Sequence, residues 1–308
     1  MLQMKRRDFI SLTTLAAGAA VLTPLTSVAQ STMPSAPIEP VWVPFTKYVK
    51  TTRIGFGTGM RGSERRSDLT RAGYPKAIEL LRYAYDMGIR LFDCADLYGT
   101  HDVVAEALKG KPRDSYVLVS KIWLRGGGIP EKERLDPKDT VARFLRELRT
   151  NYIDVVQIHC MDNNRWTQDY AAAMESMETL KKDGVILAHG ISSHSNAATA
   201  LATETEWCDT IHVRINSEGM NMDGPQNDAA ARVAEGVRTT KKAHEAGKGI
   251  VAMKVLGEGK MSNDAEMRKK STKFVGELDC VDVMIVGFTE KEHITEFVTN
   301  VAALTPGR

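Results

Sequence analysis

Apolar residues recur along the chain in short continuous runs, at 53–58, 90–93, 116–121, 152–159, 186–192, 210–215, 249–254 and 282–287. Val117-Leu118-Val119 and Val283-Met284-Ile285-Val286 are typical. A run without polar alternation is what a strand shows when both of its faces are covered, so these runs predict parallel strands rather than one-sided antiparallel ones. Between them the apolar spacing changes to three and four residues. Ile78, Leu81 and Tyr85 make one such set, Val141, Phe144, Leu145 and Leu148 a second, Ala173, Met177 and Leu180 a third, and Ile294, Phe297, Val298 and Val301 follow the last run. Each set lines one face of a helix. Strand and helix alternating eight times within about 250 residues predicts a (β/α)8 TIM barrel. A doubly wound sheet would use fewer strands and a glycine-rich first turn.

Composition narrows the function classes. With 43% hydrophobic and 26% charged residues among 308, the chain can bury a large core and is not a disordered tail. Lys+Arg 41 against Asp+Glu 39 leaves a formal charge of +2, which supplies no basic footprint for nucleic acid. Cys94, Cys160, Cys208 and Cys280 form no CxxC pair and no zinc-like spacing. Each stands beside an apolar run, so free thiols are expected and no metal site is. His101, His189, His194, His212 and His244 carry no ligand motif and read as core or solvated histidines.

The first thirty residues differ from the rest. Lys5-Arg6-Arg7-Asp8-Phe9-Ile10 precedes an uncharged stretch, 12–25, and Ser27-Val28-Ala29 offers small residues where a signal peptidase reads them. Residues 1–29 are expected to be a twin-arginine signal peptide, so the translocase of that route is an expected partner and the periplasm the expected location. The apolar stretch is too short and too Thr-interrupted for a membrane span of about 20 residues. A Pro-rich leader follows at 30–50, with Pro34, Pro37, Pro40 and Pro44, and the barrel occupies 51–308.

Barrel enzymes take their chemistry from the C-terminal ends of the strands and the loops beyond. Asp93 ends the second run, Tyr98 lies in the loop after it, Lys121 ends the third and His159 ends the fourth. Asp93 and Lys121 on adjacent strands are expected to pair, because neither charge is tolerated alone inside a barrel mouth. A lysine beside Tyr98 is expected to lower the phenol's pKa and make it a usable proton donor.

These residues fall in segments that resemble, in order, the signatures of the aldo-keto reductases. The segments are Gly55-Phe56-Gly57-Thr58-Gly59, the stretch from Leu91-Phe92-Asp93 to Tyr98-Gly99, Val119-Ser120-Lys121, Ile153-Asp154-Val155-Val156-Gln157-Ile158-His159 and Gly190-Ile191-Ser192-Ser193. The resemblance implies a barrel that binds NADPH, or NADH, along its rim and reduces a small aldehyde or ketone by hydride transfer. It implies Tyr98 as general acid, Asp93 and Lys121 as the pair that tunes and holds it, and His159 as the residue that orients the carbonyl. For the cofactor it implies Gly57, Thr58 and Asp93 at the nicotinamide ribose, Ser192 and Ser193 at the carboxamide, and Arg214 where a Gln is usual. Met253, Lys254, Leu256 and Gly257 belong to the seventh strand and loop, with Met253 in place of a stacking Tyr. Lys291 and His293 stand near the expected 2′-phosphate, and Phe297 replaces an adenine-binding Asn, so a small preference between NADPH and NADH is expected. Met60, Trp123, Arg125 and Trp166 are expected around the substrate. The rival reading is a non-catalytic barrel that binds a carbonyl or sugar ligand outside the cytoplasm. A metal-dependent barrel is disfavoured because His159 has no partner at ligand spacing.

Overall fold

The structure, a computed structural model, describes residues 39–304. The expected signal peptide and the first part of the leader lie outside the described residues. The rest of that leader and the two residues after it form a hairpin, β1 (Trp42–Pro44) against β2 (Lys50–Thr52). Pro44 hid it from sequence reading, and an edge strand is where a strand proline is tolerated. Phe45 and Val49, from the turn, are buried in one apolar cluster with Val117, Val155 and Val251, so the hairpin caps the N-terminal end of the sheet.

Eight parallel strands follow: β3 (Ile54–Gly57), β4 (Leu91–Asp93), β5 (Val117–Ile122), β6 (Ile153–Met161), β7 (Ile186–Ser193), β8 (Thr210–Arg214), β9 (Gly249–Met253) and β10 (Val283–Val286). They close as a barrel in sequence order, with β10 paired to both β9 and β3. All eight match the apolar runs. The helices form the outer layer, and the one over Pro137–Leu148 shows how its sequence specifies it. Asp136 caps it by accepting from the Lys138 N–H, Pro137 opens its first turn, and Arg149 closes it in the left-handed region at φ 54°. Val141, Phe144 and Leu148 are its buried face, and they pack with Leu118 and Ile158 in the core between barrel and helices.

Inside the barrel, period-two alternation sets what each strand contributes. Leu91 and Asp93 of β4 face inward, as do Val117, Val119 and Lys121 of β5, and Val155, Gln157 and His159 of β6. Ala188 and Ser192 of β7, Thr210 and His212 of β8, Val251 and Met253 of β9, and Val283 and Ile285 of β10 do the same. The lower layers are apolar. The uppermost layer carries the polar side chains, so the same alternation that builds the core places the ionisable groups together at the C-terminal mouth. Among the described residues no helix is long and apolar enough to cross a membrane.

Candidate active site

The mouth opens into a cavity of about 480 Å³ lined by Asp93, Tyr98, Lys121, His159, Ser192 and His212, with Met60, Trp123, Met253 and Ile285 on its apolar walls. A larger and more open cavity, about 640 Å³, lies among Lys109, Arg113, Arg146 and Arg149 and touches none of these groups.

Lys121 is 1% exposed and Asp93 2%. The Lys121 ammonium donates to Asp93 Oδ1 and to the Cys94 carbonyl, the latter at 2.9 Å. Burial pulls the Asp93 carboxyl upward, but Lys121 and His212 outweigh it and hold the pKa below the usual aspartate value. The group is therefore a carboxylate. His212 is fully buried and donates from Nε2 to the same Asp93 Oδ1 at 3.0 Å.

Tyr98 stands at the end of a 3-10 turn, Asp96–Tyr98, that follows β4. Its hydroxyl is 3.3 Å from His159 Nε2, and the Lys121 ammonium lies 5.3 Å from its ring centre. The phenol pKa is pushed well above the ordinary tyrosine value, first by burial and then by the Asp93 charge. This corrects the downward shift expected from Lys121: the ammonium is shared with Asp93 and the Cys94 carbonyl, and what it offers the phenol is outweighed by burial and by the Asp93 charge. Tyr98 consequently keeps its proton, as an acid must. His159 is held neutral, its pKa driven well below the usual histidine value by burial and by Lys121. The imidazole tautomer with hydrogen on Nε2 donates toward Tyr98 Oη and leaves Nδ1, which has no partner, as a bare acceptor.

The loop after β3 folds over this phenol. A Cβ at Gly59 or at Gly62 would overlap the Tyr98 ring. Arg61, Glu64 and Arg65 all take left-handed backbone angles there, and Arg65 Nε holds the turn to buried Asp96 at 3.1 Å. Trp123 meets His159 edge to face, with ring centres 5.5 Å apart, and donates from its indole to the Gly127 carbonyl at 2.6 Å.

Other expected residues lie in different places. Trp166 is fully buried, 6.2 Å from Trp207 between ring centres, with its indole donating to the Ala198 carbonyl. It is a core residue and does not line the cavity, because its short helix turns inward. Arg125 pairs with Asp162 at 2.7 Å and donates to the Cys160 carbonyl, bracing the end of β6 outside the cavity lining. Gly57, Ser192, Met253, Lys254 and Leu256 line the cavity, and Gly257 turns the chain just beyond them at φ 60°. Thr58 lies beneath, donating to the Asp93 carbonyl at 2.8 Å. The Ser193 hydroxyl donates to the Ser195 carbonyl, and Arg214 donates to the His194 carbonyl; both border a separate small recess. Lys291 pairs with Glu79 at 2.5 Å, and His293 with the Thr289 hydroxyl at 3.3 Å. Phe297 is buried against Phe288, which packs on Phe56. His212, which the sequence marks only as a core or solvated histidine, is indeed buried, but it faces the lumen. The missed signal was parity, since His212 lies two positions after Thr210 on an inward-facing strand.

The arrangement defines a barrel with a protonated phenol, a neutral imidazole and a buried Lys-Asp pair converging on one opening. A model of the aldo/keto reductase family matches residues 53–284, and the chain belongs to that family. It is 30% identical over 156 residues to an uncharacterized oxidoreductase, YqkF, of Bacillus subtilis (48% of this chain, 47% of that one). Over 145 residues it is 30% identical to D-arabinose 1-dehydrogenase of Saccharomyces cerevisiae (45% and 42%). The chain thus spans less than half the length of these curated relatives. Its fold is similar to that of an aldo/keto reductase from Klebsiella pneumoniae solved with NADP and acetate, with a TM-score of 0.62 at 20% identity, covering 87% of this chain and 92% of that one.

Proposed function

We propose that this protein reduces a small aldehyde or ketone with a reduced nicotinamide cofactor, Tyr98 serving as the general acid. The observation that carries the reading is the pairing of a protonated Tyr98 hydroxyl with neutral His159 Nε2 at 3.3 Å, facing the cavity beside the buried Lys121-Asp93 pair. A carbonyl oxygen placed between those two groups receives a hydrogen bond from each. Tyr98 then passes its proton to that oxygen, and the nearby Lys121 ammonium favours the phenolate left behind.

The reacting end of the cavity suits a nicotinamide. Ser192 Oγ is buried there without a hydrogen-bond partner, and Gly57 and Gly287 offer bare backbone in the cavity wall. When bound, the reduced ring supplies the hydride that the carbonyl carbon accepts. Lys254, Leu256 and Met253 would hold the cofactor's middle and ring. The distal end fits an adenosine 2′-phosphate less well, since Lys291 is engaged with Glu79 and Phe297 is buried in the core. The reading is tested by following loss of reduced-nicotinamide absorbance after adding a panel of small aldehydes and ketones. Turnover that depends on both partners supports it; saturable carbonyl binding without turnover supports the non-catalytic barrel.

Export by the twin-arginine route to the periplasm is a companion proposal, supported by Arg6-Arg7 ahead of the uncharged 12–25 stretch and by Ser27-Val28-Ala29. Replacing both arginines with lysine should strand the precursor in the cytoplasm. Normal periplasmic levels of a chain lacking residues 1–29 in that double variant would exclude the route.

A further inference from the structure

The Asp93 carboxylate is gripped from two sides of the barrel. β4 and β8 lie four strands apart in a ring of eight, so His212 reaches across the lumen to a carboxylate on the opposite wall. We propose that His212 is a positioning residue for proton transfer, fixing Asp93 and thereby the Lys121 ammonium beneath Tyr98. This rests on the carbonyl-reduction reading of the site.

Three observations support it. His212 and Lys121 donate to one and the same oxygen, Asp93 Oδ1, so rotation of the carboxylate would break both hydrogen bonds. His212 is fully buried, and its Nδ1 has no partner; the imidazole's single N–H is committed to Asp93. Its register neighbour Ser192 on β7 does not compete, because its own hydroxyl is unpartnered. Burial lowers the His212 pKa while Asp93 raises it, and burial prevails, so the residue acts as a neutral donor. The charged or titratable groups facing this cluster are Asp93 and Cys94 from the end of β4, Tyr98 from the turn beyond, Lys121 from β5 and His159 from β6. Cys160 and Glu258 act on Tyr98 from farther away.

A hydrogen bond that spreads the Asp93 charge has a direct consequence at Tyr98. Asp93 opposes ionisation of the phenol, and each donor on the carboxylate weakens that opposition. Without His212 the carboxylate is freer to rotate, and its charge bears more strongly on the developing phenolate. Proton transfer slows, and because the single N–H of His212 is committed to Asp93 and not offered to the substrate, the loss should fall on kcat rather than KM.

The test compares the full chain with His212→Leu and His212→Gln, the latter keeping an amide N–H near the position of Nε2. In 15N-histidine NMR the His212 resonances, assigned by their loss in His212→Gln, should show a neutral imidazole with hydrogen on Nε2 across neutral pH and should move in Asp93→Asn. Hydrogen on Nδ1, or resonances indifferent to Asp93→Asn, would overturn the link whether or not the protein reduces carbonyls. In steady-state kinetics His212→Leu should lose about tenfold in kcat with KM unchanged and move the alkaline limb of the pH profile upward, whereas His212→Gln should stay within about threefold of the parent. Equal losses in the two variants, or none in His212→Leu, would overturn the positioning role. If the parent itself turns over no carbonyl, the proposed function fails, and the NMR arm still decides whether His212 holds Asp93.

Discussion

The Tyr98 hydroxyl and His159 Nε2 stand 3.3 Å apart, their rings edge to face with centres 5.5 Å apart. One group keeps its proton and the other stays neutral, so a carbonyl oxygen entering between them meets two donors and no opposing charge. Tyr98→Phe removes the transferable proton without disturbing the apolar ring. Turnover should fall by about 10²-fold or more while cofactor affinity is kept. Lys121→Met should also depress turnover, because the cation that favours the phenolate is gone and Asp93 is left buried with only His212. Unchanged turnover in Tyr98→Phe would remove the acid from the mechanism.

Gly59 and Gly62 hold the same ring from the other side. Either β-carbon would overlap the phenol, and the surrounding loop is already strained at Arg61, Glu64 and Arg65. Gly59→Ala should therefore displace Tyr98 and lower kcat by about tenfold or more, with an overpacking cost of about 1–3 kcal/mol in thermal unfolding. A variant with parent kcat would show that the ring has room the geometry denies it.

The strands, and the convergence of Asp93, Tyr98, Lys121 and His159 on one opening, were legible in the sequence because buried parallel strands are uninterrupted and the residues at and just beyond their C-terminal ends share one mouth. Less was legible where small residues do the packing. The helices Ala229–Glu245 and Ala265–Gly276 bury Gly236, Thr240 and Ala243, or Ser271, Thr272, Val275 and Gly276, and so show little apolar stripe. Trp166 misled because a loop position on the catalytic side does not say which way a large ring turns. The sign of the Tyr98 shift needed three dimensions, since only the fold shows Lys121 engaged by Asp93 and the Cys94 carbonyl. His212 was missed for a simpler reason: no motif marks it, only its place on an inward-facing strand.

Lys291 is drawn to Glu79 at 2.5 Å, and Glu79 lies on the neighbouring helix Tyr74–Asp86. A 2′-phosphate must compete with that carboxylate for the lysine. NADPH should hold at most about a tenfold advantage over NADH, and Glu79→Gln should widen it several-fold by freeing the lysine. Fluorescence titration of both cofactors measures this. A preference above a thousandfold in the parent would contradict the engaged-lysine account.

Glu147 links the outer helices to the barrel through His101 Nδ1 at 2.6 Å and Arg143 at 3.0 Å. Burial raises its carboxyl, but the hydrogen bonds and charges of His101 and Arg143 prevail and hold it at about 2. A carboxyl lowered in the folded state stabilises the fold above its unfolded value, near pH 4.5, and that contribution is lost as pH falls toward 2. Glu147→Gln should cost on the order of 1–2 kcal/mol at neutral pH, allowing for solvent screening at its exposed edge. The difference between variant and parent should shrink below pH 4.5. Denaturant unfolding across that range measures it, and a difference independent of pH would contradict the assignment.

The most direct measurement is a single turnover of the full chain with reduced nicotinamide carrying deuterium at the transferring position of C4, a small aldehyde in excess, and mass analysis of the alcohol. Direct hydride transfer at the Tyr98 and His159 opening predicts one deuterium on the carbinol carbon in the parent and a much slower appearance of the same product in Tyr98→Phe. An alcohol whose carbinol hydrogen comes from solvent, or a saturated complex that forms no alcohol, would contradict the account.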